Sequence, residues 1–238
     1  MNKLIFFKIN VRAIIALFIF INFVGATQWI YQADLLNSEV INNQNIKELS
    51  GNVFITKNQT TLTTKKAILY SDNDQLELFG DIVMISDMDT LRCDTLFYFP
   101  KTGFDHFIAS GNVTLLNNNQ QITSDSLYYW SEIDSIYAYG DVLINDNSTK
   151  LYANSVNYWK TNGFYGYSFT ANNDVVIINP ETEIKGQEII YVDSIQHMSI
   201  LNQASAVHKN QKLLGDTMLI QFEDSSINTV TIKDRPIA

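Results

Sequence analysis

The sequence predicts an all-β fold of about a dozen antiparallel strands, quasi-one-dimensional, with each repeat resting on the next. Three observations predict it. The phrase Gly-Asn/Asp-Val/Ile recurs at Gly51, Gly80, Gly111 and Gly140, with glycines 29, 31 and 29 residues apart. Apolar residues alternate with variable ones on both sides of each phrase, the period of a strand with one committed face. The segments between are short and rich in Asn and Asp, which tolerate left-handed backbone and cap turns. Such turns join hairpin neighbours, and no stretch after the N-terminus shows a long helical period.

The first 26 residues differ from the rest. Lys3, Lys8 and Arg12 are their only charges, and Ala13 to Val24 is apolar apart from Asn22. Val24-Gly25-Ala26 supplies small residues before a polar Thr27-Gln28. This reads as a secretory signal cleaved after Ala26. The competing reading is an uncleaved anchor, but the apolar run falls short of the roughly 20 residues that span a bilayer. Residues 27–45 follow as a lead-in, and 46–238 as the repeat domain.

Removing the signal takes three of the 16 basic residues and none of the 25 acidic ones, so 13 face 25 and the net charge is −12. That field excludes nucleic acid and disfavours an anionic membrane surface as partner. Cys93 is the one cysteine, so no internal disulfide forms and an exported chain must stand on its core. Cys93 reads as a small buried residue.

Each repeat has a grammar. An aliphatic residue stands eleven positions after each glycine, at Leu62, Leu91, Ile122 and Leu151. The same spacing traces Ile184 and Leu213 back to Asn173 and Asn202, which head two copies without glycine and bring the number to six. Two and four positions after the heading residue come Val53 and Ile55, Ile82 and Met84, Val113 and Leu115, Val142 and Ile144, Val175 and Ile177, and Ala204 and Ala206. Four and two positions before it stand Leu76 and Leu78, Phe107 and Ala109, Ile136 and Ala138, Phe169 and Ala171, and Met198 and Ile200. One strand therefore enters and leaves the phrase with the same face inward, and the glycine marks a kink or bulge.

The second half of a repeat reads Leu91-x-Cys93-Asp94-x-Leu96-x-Tyr98 and Ile122-x-Ser124-Asp125-x-Leu127-x-Tyr129, with echoes from Leu151, Ile184 and Leu213. Its apolar places change parity near the Asp, which implies a bulge or twist there. Cys93, Ser124, Ala153, Gly186 and Gly215 share one small-residue place, a sign of tight packing. In the first copy Tyr70 falls one residue late and implies an insertion. Val230 and Ile232 match the entry to a seventh copy, stopped by Arg235-Pro236.

Catalytic chemistry is not written here. Asp94, Asp125 and Asp216 recur at one structural place, whereas an acid–base pair needs two environments that separate the pKa values. His106, His197 and His208 lack metal-ligand spacing, no phosphate or dinucleotide loop is present, and no metal or cofactor is expected. Tyr98, Tyr129, Tyr158 and Tyr191 read as a cross-strand aromatic ladder rather than a sugar-stacking row.

The tandem units, above all Gly80-Asp81-Ile82 with Cys93 to Tyr98 and Gly111-Asn112-Val113 with Ser124 to Tyr129, resemble the OstA-like, LptA-type lipopolysaccharide-transport proteins over residues 46–233. The resemblance implies an open, V-shaped antiparallel β-jellyroll, non-enzymatic and periplasmic. Its crease would hold the acyl chains of lipid A, and its units would stack end to end from an inner-membrane export complex to an outer-membrane translocon by edge-strand pairing. On that reading the groove lining is Val53, Ile55, Ile82, Met84, Val113, Leu115, Val142, Ile144, Val175 and Ile177, although the same residues would make an ordinary core. A closed β-solenoid scaffold or adhesin is the alternative, and a glycan-active β-helix the more distant one. Asn173 and Asn202 depart from the motif glycine, and the loop from Thr161 to Ser168 is an insertion.

Overall fold

The computed structural model describes residues 29–57, 59–86, 89–101, 104–117, 120–130, 133–146, 148–160, 167–223 and 226–234. The proposed signal, most of the Thr161–Ser168 loop and Arg235-Pro236 lie outside them. The strands are β1 (Ile30–Gln32), β2 (Leu35–Ile41), β3 (Gln44–Lys57), β4 (Thr60–Tyr70), β5 (Gln75–Ser86), β6 (Asp89–Lys101), β7 (Phe104–Asn117), β8 (Gln120–Trp130), β9 (Ser135–Asp146), β10 (Thr149–Lys160), β11 (Tyr167–Asn179), β12 (Thr182–Val192), β13 (His197–His208), β14 (Gln211–Glu223) and β15 (Ser226–Lys233). The described residues contain no α-helix, only a 3₁₀ turn at Asp193–Ile195. They fall into two compact units divided within β9, between Ala138 and Tyr139.

In the first unit β3 to β8 pair in sequence order, every neighbour antiparallel. In the second, β10 to β15 do the same. The all-β antiparallel class is as expected, and the described residues form fifteen strands. Both orders are linear, so each unit is an open sheet.

The glycine phrase is a two-residue left-handed kink. The four glycines have φ from 71° to 82°, and the residues after them, Asn52, Asp81, Asn112 and Asp141, have φ from 43° to 50°. The copies without glycine keep the same backbone, with φ of 64° and 54° at Asn173-Asp174 and 59° and 58° at Asn202-Gln203. Asn is the non-glycine residue that best tolerates this region, which is why it can stand there. The kinks at Gly51, Gly80, Gly111, Asn173 and Asn202 each shift the ladder. On the β8 side, Gly111-Asn112 oppose Asp125 alone, between the pairs Ser110↔Ser126 and Val113↔Ser124. On the β6 side, residues 111–113 oppose Cys93-Asp94. One extra residue per kink is a β-bulge. It explains the parity change in the second half of each repeat, because the opposing strand skips a place that the kinked strand does not.

The core is the inward face that this register aligns. Leu76, Leu78, Leu96 and Leu127 in the first unit, and Leu151, Phe169, Ile189 and Tyr191 in the second, are at most 1% exposed. The first repeat needs a correction. Thr64 pairs with Val53, Lys66 with Ser50 and Ala67 with Leu49, and Ala67 and Leu69 are buried. The copy therefore reads Leu62-x-Thr64-Lys65-x-Ala67-x-Leu69 with no insertion, and Leu69 takes the tyrosine place.

The small-residue place is tight. A Cβ added to Gly186 would lie 2.6 Å from Ile200 Cγ2, and Ile200 is fully buried. Gly186→Ala is expected to cost about 1–3 kcal/mol through overpacking, read as a lower urea midpoint at unchanged slope.

Residues 30–41 are half a repeat. Ile30 to Gln32 pair with Thr56 to Phe54, and Leu35 to Ile41 with Ser50 to Gln44, so β1 and β2 flank the first kink on one side of β3. Ala33-Asp34 between them stands where Cys93-Asp94 stands beside the third kink.

Candidate site: the inward face and its mouth

Two chemistries meet at each kink, one outward and one inward. Outward, a polar pair closes the bulge. Asn52 Nδ2 donates to Asp34 Oδ2 at 2.8 Å, and Asn112 Nδ2 to Asp94 Oδ2 at 2.8 Å. The second kink reverses the charges, with Lys65 Nζ 2.6 Å from Asp81 Oδ2. At the fifth, Gln187 Nε2 donates to Asp174 Oδ1 at 2.6 Å. Each pair sets a donor against an acceptor, and of the recurring aspartates Asp94 serves its kink in this way. Among the described residues, no group of three or more His, Cys, Asp or Glu lies close enough to hold a metal ion.

Inward, the surface is apolar. Val53, Ile55, Ile82, Met84, Val113 and Leu115 in the first unit, and Val142, Ile144, Val175 and Ile177 in the second, are all buried, none more than 6% exposed. The tyrosine row is buried too, and its rings pack in pairs: Phe107 on Tyr129 at 5.2 Å, Tyr158 on Tyr167 at 4.8 Å and Phe169 on Tyr191 at 5.9 Å. It is a packing ladder, as expected. Cys93 lies on the same face. Burial first, and the Asp94 charge second, push its thiol up to about 12, so it stays protonated and a poor nucleophile at neutral pH.

Hairpin turns at one end of the strands close on polar, buried pairs. Thr60 Oγ1 donates to Ser86 Oγ at 3.0 Å, Asn117 Nδ2 donates to Asp89 Oδ1, and Thr182 meets His208 Nδ1 at 2.9 Å. These residues are inward by register, so the apolar strip carries a polar lip along that end. Aromatic side chains line the other end, where Tyr98 and Tyr129 flank Phe107. The sequence reasoning missed the lip. Its signal was the polar residue six places after each heading residue: Lys57, Ser86, Asn117, Asp146, Asn179 and His208.

The two ends meet at the first layer. Trp29, next to β1 and 9% exposed, sets its ring edge-on to Tyr98 at 5.7 Å. A cavity of about 180 Å³ opens beside Trp29, lined by Trp29, Tyr31, Lys47, Leu69, Tyr70, Ser71, Asp74, Gln75 and Leu76. Lys57 Nζ stands 4.9 Å from the centre of the Trp29 ring, and Lys47 Nζ 5.3 Å from that of Tyr31. Burial and then the Glu77 charge raise the pKa of Tyr70 at its rim. Both hydrogen bonds that Asn45 donates, the side chain's foremost, hold the Asp72 carboxyl below its ordinary value.

Residues 27–139 match the family model for OstA-like protein. This stretch of the chain is OstA-like. It takes in the half repeat, the first three kinks and the cavity. Among solved structures, the chain is similar to the crystal structure of LptH from Pseudomonas aeruginosa, the LptA homologous periplasmic component of a lipopolysaccharide transport device. The match has 18% identity, a TM-score of 0.41, and covers 48% of this chain and 82% of that one. At those values the likeness is loose. A search of curated protein sequences finds no match. Among the described residues, no helix is long and apolar enough to cross a membrane.

Proposed function

We propose that this protein is a non-enzymatic periplasmic component of lipopolysaccharide transport that carries lipid A acyl chains along its inward face. The supporting observation is the apolar inward face within each unit, in a chain whose residues 27–139 match the OstA-like model: every repeat presents an apolar pair after its kink. A uniform wall gives each acyl CH₂ about 0.8 kcal/mol without fixing a register, so a chain can be held and still slide. Val53, Ile55, Ile82, Met84, Val113, Leu115, Val142, Ile144, Val175 and Ile177 are the proposed lining. Their burial means that an acyl chain enters by replacing protein contacts, with the two halves of each hairpin parting about the kinks.

Partners are proposed on the edges. All seven residues of β2 are exposed, and Leu35, Leu36 and Val40 there, with Ile30 in β1, are more than half exposed. Such an edge invites a further strand, and β15 offers the opposite one. An inner-membrane export complex, an outer-membrane translocon or a second copy would dock by strand addition. The net charge of −12 expected after signal removal is against nucleic acid.

A photo-crosslinking amino acid at Leu115 or Ile144, in cells, is expected to capture lipid A, while one at the outward Tyr152 captures none. Equal labelling at all three, or none at the inward pair with the protein folded and exported, would overturn the carrier reading in favour of a scaffold.

A further inference from the structure

The β12–β13 connection does more than join its own two strands. Its 3₁₀ turn, Asp193–Ile195, is followed by Gln196 in the left-handed region, at φ of 48°. Glutamine is costly there and persists only where its surroundings over-determine it. Here they do. Gln196 N donates to Asp193 O at 3.0 Å, and its Nε2 donates to Asp193 Oδ1 at 2.7 Å and to Asp193 O at 2.8 Å. Its carbonyl accepts from Phe222 N at 2.8 Å and from Gln221 Nε2 at 3.1 Å. Gln221 Nε2 also donates to Ile195 O at 2.8 Å, and Asp193 N donates to Ser168 Oγ at 3.1 Å. The turn thus reaches beyond its hairpin on both sides, to β11 through Ser168 and to β14 through Gln221 and Phe222. The rings of Phe169, Tyr191 and Phe222 pack together at the same end of β11, β12 and β14.

The kinks at Asn173-Asp174 and Asn202-Gln203 divide these strands into halves. The ladder breaks between Asn172 and Val175 on β11, and between Leu201 and Ala204 on β13. A bulge leaves the halves on its two sides joined by backbone rather than by cross-strand pairs. On one side lies the turn, and there β15 covers β14 from Thr217 to Glu223. On the other side, among the described residues, no strand pairs with the far edge of residues 211–215, and Leu214 is 59% exposed. Thr182 Oγ1 and His208 Nδ1 meet at 2.9 Å there, and Lys209 Nζ stands 3.5 Å from Glu181 Oε2. That ion pair is mostly in water and adds little. Segments with an uncovered edge and exposed backbone bonds open at lower free energy than segments tied on both sides.

We infer that the second unit opens from one end. The Asp193–Gln196 turn is a clasp that holds the ends of β11 to β14 together, the two kinks are hinges, and the halves beyond them part. Val175 and Ile177, the proposed lining residues on β11, lie in the half left free. The inference gives the parting of the hairpins a direction. It rests on the carrier reading only for what the opening admits, and the motion itself does not depend on that reading.

The test is amide hydrogen exchange of the full chain, read by mass spectrometry with no lipid present. Residues 175–179, 182–185 and 204–208 are expected to exchange at least about tenfold faster than residues 168–172, 188–192 and 197–201. Gln221→Ala removes the side-chain bonds from β14 to the turn. It should speed exchange in the second set about tenfold and leave the first set within about twofold of the parent. Ser168→Ala removes the acceptor for Asp193 N and should speed residues 168–172 and 188–192 in the same way, which keeps the test readable if Gln221→Ala does not fold. Equal exchange on the two sides of the kinks, slower exchange on the free side, or a rise spread evenly over both sets in either variant would each overturn the clasp. Loss of the Leu115 capture with the exchange contrast intact overturns the carrier reading and spares the clasp. Capture without the contrast does the reverse.

Discussion

Gly111→Ala is expected to destabilise the protein by about 2–4 kcal/mol, although alanine is the smallest possible change. Two costs add. At φ of 77° an L-residue pays about 1–2 kcal/mol in left-handed backbone. The new Cβ would also lie 2.5 Å from Asp94 Oδ2 and 2.8 Å from Asp94 Cβ. The carboxylate could swing away, but the Asp94 Cβ is fixed to its strand. Moving the side chain breaks its bond from Asn112, worth about 0.5–1.5 kcal/mol. The control is Asn173→Gly, at an equivalent kink with φ of 64°. There glycine relieves backbone strain but raises the entropy of the unfolded chain, and the two leave the stability within about 1 kcal/mol of the parent. Urea unfolding of both variants decides the matter. A Gly111→Ala cost no larger than that of an ordinary surface change, about 0.5 kcal/mol, would mean that the kink is not a point of constraint.

Tyr191→Ala is expected to cost about 3–5 kcal/mol, as for other large buried aromatics. Tyr191 is 1% exposed and lies between Phe169, at 5.9 Å, and Phe222, edge-on at 6.1 Å. Its hydroxyl donates to Asp193 Oδ1 at 3.0 Å, which ties the 3₁₀ turn to the ladder. Tyr191→Phe keeps the ring and loses the hydroxyl with that bond, so about 0.5–1.5 kcal/mol is expected. The gap between the two substitutions measures packing against hydrogen bonding. Similar losses from both would show that the turn, not the aromatic ladder, holds this end of the second unit.

Much of this was legible because a strand with one buried face has a period of two, and a period survives in a string of letters. The inward residues, the antiparallel order and the extra residue at each kink all follow from spacing. The apparent insertion at Tyr70 came from matching a residue type, tyrosine, rather than the parity of Ala67 and Leu69, which the ladder obeys. The half repeat at Ala33-Asp34 was readable from its Ala-Asp-x-Leu echo but lacks a glycine phrase of its own, which lies instead on the strand beside it. The charge reversal of Lys65 and Asp81 against Asp94 and Asn112 is invisible in one strand and plain across two.

By itself the sequence determined the repeat, the strand direction and which face is apolar, since these depend on neighbours two to thirty residues apart along the chain. Tertiary structure alone decided that Trp29 meets Tyr98 and that Lys47 lies over Tyr31. Those facts depend on where two ends of a kinked strand come together, and that is set by the left-handed pair at the bulge, whose angles no local pattern of apolar and polar residues encodes.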